Sequence, residues 1–165
     1  MNDKEKDKLL VVVDVESDGP CPGLYSMVSF GAVVVEPSLD RTYYGKIAPL
    51  PGASWMPEAL AISGTTREEH LHHRTPSVVM AEFRNWLLAL GAKRLTFVSD
   101  NPVFDWQFIN YYLHLFGKEF KDPNPFKDFR TTRHTHNPVD DAKGNAEALM
   151  KVMDMRLMAR RLHPE

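Results

Sequence analysis

Apolar residues crowd into short β-branched runs in the first third of the chain and into helically spaced stripes after it. "LLVVVDVE" (9–16) is a run suited to a strand buried on both faces. "SDGPCPG" supplies turn chemistry, and "YSMVSFGAVVVE" (25–36) reads as a second strand. A tight "PSLD" connection leads into a third, "RTYYGKIAPL" (41–50), which completes an antiparallel meander. In "TPSVVMAEFRNWLLALG", Thr75 is a candidate N-cap with Pro76 at the first helical position and Gly91 as the stop. Val79, Phe83, Trp86, Leu87 and Leu90 fall at helical spacing and predict a core-facing stripe.

"RLTFVSD" (94–100) predicts a fourth strand and "PVFDWQFINYYLHLFG" (102–117) a long helix ended by Gly117. A Pro-interrupted connector precedes a last helix beginning at Val139, "VDDAKGNAEALMKVMDMRLMARRL". The order β-β-β-α-β-α-α describes an α/β fold, a mixed sheet with helices packed on it. Trp55 and Met56 read as residues that close the core, and Trp106 as packed inward.

Composition narrows the class. With 165 residues, 43% hydrophobic and 25% charged, the chain reads as one globular domain (9–165) behind a solvated, disordered tail (1–8). No apolar stretch is long enough for a membrane span. "MNDKEKDK" lacks the apolar core of a signal peptide, and Cys21 is the only cysteine, so a reducing, cytoplasmic location is expected. The net charge of −2 excludes a broad basic surface, so any nucleic-acid binding has to be local and metal-assisted.

The chemistry sits at strand and helix ends. Asp14 and Glu16 are two apart on one strand and project to the same side of the pleat. Paired carboxylates repel each other unless a cation joins them; alone, this D-x-E is equally a surface pair or a metal site. Further acids follow where strands give way to helices: Asp100 and Asp105 in "SDNPVFDWQF", and Asp140 and Asp141 in "HNPVDD". Helix-dipole complementation accounts for each singly, but not for their common placement at the edge where α/β folds assemble sites. The histidines of "EEHLHHR" (His70, His72, His73) lack the spacing of a zinc site.

"DVESDG", "DNPVFDWQF" and "HNPVDD" running into "AKGNAEAL" together resemble, in order, the three motifs of the DEDDh 3′-to-5′ exonucleases, the DnaQ-like branch of the ribonuclease-H-like fold. "EALAISGTTREEH" resembles the family segment in which an apolar residue near a Gly meets the substrate base. The likeness spans residues 9 to 155. It implies a ribonuclease-H-like mixed sheet, the three-strand meander plus parallel strands, flanked by helices. By position it makes Asp14, Glu16, Asp105 and Asp141 metal-binding carboxylates and His136 the general base. Two hard ions, Mg²⁺ or Mn²⁺, suit such oxygen donors, spaced about 3.5–4 Å apart to clamp a scissile phosphate. An imidazole with a pKa near ~6.5 can take the attacking water's proton.

Ser17 is a candidate contact to the terminal 3′ hydroxyl, and Leu24, Tyr25, Ile62 and Phe104 to the last bases. The chain departs from the family pattern at Val15, Ser17 and Asp18, where threonines are usual, and at Pro138 in place of Ala. The reading is a metal-dependent 3′-to-5′ exonuclease on single-stranded nucleic-acid 3′ ends that releases 5′-mononucleotides. Small size and the lack of an appended tail incline it towards stand-alone exoribonucleases and oligoribonucleases acting on short RNA. The alternatives are a DNA proofreading or repair exonuclease and a catalytically silent nucleic-acid-binding adaptor. Many relatives are homodimers, and Tyr111, Tyr112 and Met153 are candidates for such a face.

Overall fold

The computed structural model describes residues 8–127 and positions 139, 142 and 146, the last three helical. His134, His136, Pro138, Asp140, Asp141 and Met153 lie outside the described residues. Strands β1 (Lys8–Ser17), β2 (Met27–Val34), β3 (Thr42–Lys46) and β4 (Arg94–Val98) form one sheet in the order β3-β2-β1-β4. The first three are the expected antiparallel meander, and β4 joins β1 in parallel. Helices α1 (Pro57–Ile62), α2 (Arg67–Leu71), α3 (Pro76–Ala89) and α4 (Pro102–Phe116) complete the described elements. None is long and apolar enough to cross a membrane.

Alternation along β1 sends Leu9, Val11, Val13 and Val15 into the core beneath α3 and α4. The stripe on α3 behaves as its spacing predicts. Val79, Phe83 and Leu87 are buried, with Trp86 and Leu90 packed against them, and Phe83 lies edge-on to Phe30 at 4.8 Å. Pro76 occupies the start of α3 as expected, but the Thr75 side chain makes no cap hydrogen bond. Trp106 packs inward as expected, its ring edge-on to Phe97 at 5.0 Å.

Several expectations change. Among the described residues, the long helices pack on one side of the sheet, and Leu10 and Val12 on the other face of β1 are exposed. β2 and β3 are shorter than their apolar runs, since the chain leaves β3 at Lys46 and then pairs only at isolated bridges such as Ile47 with Arg74. Residues 57–71 hold two short helices that the apolar pattern does not announce. Their start signals are local: Pro57 opens α1, and Thr66 and Glu69 form a reciprocal capping box on α2.

Trp55 and Met56 do not close the core; both are about 40% exposed (40% and 39%). They immediately precede α1, whose one buried residue, Leu60, serves the core instead. Tyr112 is fully buried rather than part of an exposed face. The backbone N–H of Met27 donates to its hydroxyl at 2.9 Å, and burial raises its pKa.

Candidate active site

Parallel pairing of β1 with β4 runs from Lys8 opposite Arg94 to Val12 opposite Val98. Extending that register by two residues sets Asp14 level with Asp100. β4 ends at Val98, and α4 starts at Pro102, so Asp105 falls in the first turn of α4 and turns back onto the end of β1. The result is a convergence of Asp14, Asp100 and Asp105, with one carboxylate oxygen from each lying within 4.8 Å of the others. Asp14 and Asp100 are exposed and Asp105 is buried. On the other side of β1, Asp14 pairs with Gly31, and a side chain added at Gly31 would meet open space. A glycine at that cross-strand position keeps the ground beside the Asp14 carboxylate clear.

Asp105 is the anchored member. The Val15 N–H donates to its Oδ1 at 3.0 Å, and the Ser99 hydroxyl donates to its Oδ2. Ser99 is oriented in turn by the Asn101 N–H, which donates to its Oγ at 3.0 Å. Burial nevertheless pushes the Asp105 pKa up, with Asp14 and Asp100 adding to the rise against the lowering effect of its two hydrogen bonds. Glu16 is also raised, first by burial and then by the charges of Asp14 and Asp105. Unrelieved like charge is the condition that a hard divalent cation with oxygen ligands removes, so the donor set fits such an ion. Among the described residues, no histidine belongs to a converging group of this kind.

Glu16 also lines a cleft of about 440 Å³ with Ser17, Gly19, Met56, Ile62 and Phe104. Ile62 is 81% exposed at its rim. Thus Ser17, Ile62 and Phe104 are brought together beside Glu16, whereas Leu24 and Tyr25 are not in the lining. Ser17 is nearly buried and its hydroxyl donates to the Gly19 carbonyl at 2.6 Å. The Tyr25 ring lies against Gly19, where an added Cβ would sit 2.2 Å from ring carbons. Only glycine fits under that ring.

Asp18 turns away from the acids into the protein. It is fully buried, its Oδ1 accepts from the Ser26 N–H at 2.6 Å, and its Oδ2 meets Arg67 at 3.3 Å and the His70 ring at 3.7 Å. Burial holds Asp18 above its usual pKa and His70 below its own, at about 4. The folded His70 resists protonation until about pH 4 while the unfolded chain takes that proton near ~6.5. His70 therefore contributes stability that is fully present above pH 6.5 and lost as the pH falls towards 4. Urea unfolding of the wild type and His70→Gln should show the wild-type advantage shrinking across that window; a gap that is constant with pH would contradict it.

Sequence reasoning missed two things. The sequence puts Asp100 among the acids at strand and helix ends but gives it no place in the metal set, and only the strand register reveals its approach to Asp14. Asp18 was seen as a departure from the motif, with no sign that it pairs with residues some fifty positions away.

No family model matches the chain. A curated relative, the 3′-5′ DNA exonuclease Cap18 of Escherichia coli, is 40% identical over 128 residues, which cover 75% of this chain and 63% of that protein. The chain is thus similar to a 3′-5′ DNA exonuclease and spans less than two thirds of that protein's length. Solved structures agree on the fold: E. coli exonuclease I bound to a dT13 oligonucleotide matches with a TM-score of 0.57 at 17% identity, over 73% of this chain and 28% of that one. A metal-free E. coli exonuclease I complex with single-stranded DNA also gives 0.57 at 17% identity, over 67% of this chain and 24% of that chain. The expected ribonuclease-H-like mixed sheet is thereby shown.

Proposed function

We propose that this DnaQ-like chain is a metal-dependent 3′-to-5′ exonuclease that removes 5′-mononucleotides from single-stranded DNA ends. One observation carries the reading: Asp14, Asp100 and Asp105 converge within 4.8 Å next to a cleft that Glu16 lines. The similarity to an E. coli 3′-5′ DNA exonuclease and the DNA complexes of exonuclease I support DNA over the short RNA expected from chain size.

Asp14, Glu16 and Asp105, with Asp141 carried over from the motif, would hold Mg²⁺ or Mn²⁺. Bound ions of this class lower the pKa of a water and neutralise charge on the phosphate and the leaving oxygen. The protein's residues supply the positioning. Ile62 and Phe104 offer apolar surface to the terminal base, and Glu16 and Ser17 stand at the end of β1 where the terminal sugar would lie. His136, carried over from the motif, takes the proton of the water that attacks phosphorus as the bond to the leaving 3′ oxygen breaks.

The test is a product ladder from matched 5′-labelled DNA and RNA oligomers with Mg²⁺ or Mn²⁺. Stepwise shortening of the labelled DNA from its 3′ end is expected, faster than that of RNA. Release of the label as a mononucleotide at the outset would indicate the opposite polarity, and faster RNA shortening would return the substrate to the ribonucleotide reading.

Ser99→Ala should weaken Mn²⁺ binding about 10- to 100-fold by releasing the Asp105 carboxylate from its orienting hydroxyl. Calorimetric titration of the two proteins measures it, and equal affinities would show that the Val15 N–H suffices.

A further inference from the structure

Helix α1 has a cleft on each side. Met56, Ala59 and Ile62 face the one that Glu16 lines. Pro57, Leu60 and Ala61 face a second, of about 400 Å³, which Trp55, Gly64, Thr65, Thr66 and Arg67 complete. That volume falls within the roughly 300–1,000 Å³ of small-ligand sites.

The second cleft has a built aromatic wall. Trp55 is 40% exposed, yet the backbone on both sides of it is tied down. The Ser54 N–H donates to the Leu24 carbonyl at 2.9 Å, and the Met56 N–H to the Asp18 carbonyl at 2.8 Å. The Arg67 guanidinium covers one face of the indole, 5.1 Å from the ring centroid. Arg67 is itself held at 3.3 Å by the fully buried Asp18 carboxylate and remains partly exposed. Asp18 thus braces both the indole's backbone and the cation stacked on it. This is a use for the residue that replaces a threonine of the family motif.

A partly exposed, pre-ordered indole with a cation stacked on one face matches a nucleotide: the exposed part of the ring takes a base and the guanidinium a phosphate. We infer that the Trp55–Arg67 cleft is a second nucleotide subsite, which grips the single strand upstream of the terminal residue held beside Glu16. The inference rests on the exonuclease reading above. The intervening helix is about 10–12 Å across, which about three stacked nucleotides span at 3.4 Å each. Stacked on Trp55, an upstream base gives the enzyme a hold that a dinucleotide cannot reach.

The test compares binding of unlabelled dT2 and dT6, each competing with a fluorescent dT8, all with phosphorothioate linkages that resist cleavage, in the presence of Mg²⁺. Wild type should favour dT6 over dT2, and Trp55→Ala should lose about 5- to 100-fold of that gain while Trp55→Phe keeps most of it. Arg67→Gln should lower the slope of log affinity against log salt by about 0.7, the loss of one phosphate contact on a single strand. Circular dichroism checks that the variants are folded. If Trp55→Ala shows the same length dependence as wild type, the subsite is wrong and the exonuclease reading stands. If wild type binds no oligonucleotide of any length, both fall.

Discussion

Replacing Asp14 with alanine is expected to reduce cleavage of a single-stranded DNA oligomer by about a thousandfold or more while leaving the melting temperature nearly unchanged. The rate effect follows from the several kcal/mol of charge stabilisation that metal ions supply at a reacting phosphate, at about 1.4 kcal/mol per factor of ten. Asp14 is exposed, sits opposite Gly31, and is one of the three carboxylates that meet between β1 and α4. Its removal deletes a like charge from a repelling group and buries nothing new, so stability should move by no more than about 0.5 kcal/mol. Asp105 is a poorer choice for the same test, because losing it also strands the buried Val15 N–H. Single-turnover cleavage with Mg²⁺ and with EDTA decides the matter. Undiminished hydrolysis by the variant, or wild-type activity that survives EDTA, would remove the metal-site reading of this convergence.

Phe83→Ala is expected to destabilise the protein by about 3–5 kcal/mol, the usual cost of deleting a buried aromatic ring. Phe83 is fully buried and its ring meets those of Phe30 at 4.8 Å, Tyr43 at 5.1 Å, Trp86 at 6.0 Å and Phe126 at 6.5 Å. It therefore joins α3 to β2, β3 and the segment beside β4. Collapse into the vacated space is opposed from four directions. At about 2–4 °C per kcal/mol, the melting temperature should fall by roughly 6–20 °C. Calorimetry reads it directly, and a fall below about 3 °C would show that the aromatic group closes around the gap. Activity per folded molecule should survive, since the acids are positioned by β1, β4 and the start of α4.

The Gly and Pro positions, the β-branched run at 9–16 and the stripe on α3 are local signals, and among the described residues the four strands and two long helices they predict are present. The D-x-E pair and Asp105 were legible for the same reason: each lies within a short stretch whose residue types carry a recognisable pattern. The short helices α1 and α2 were not, because six and five residues are too few to show a periodic stripe.

What the sequence by itself determined is the likeness to the exonuclease motifs, the meander, and the acids at strand and helix ends, all of which depend on neighbours a few residues apart. Only the tertiary structure decided that Asp100 stands beside Asp14, that Asp18 points inward to Arg67 and His70, and that Trp55 is exposed while Tyr112 is buried. Those outcomes depend on strand register and on which helix covers which face. Register is set by the sum of packing over whole elements, and a carboxylate turns inward or outward according to partners that lie remote in the chain.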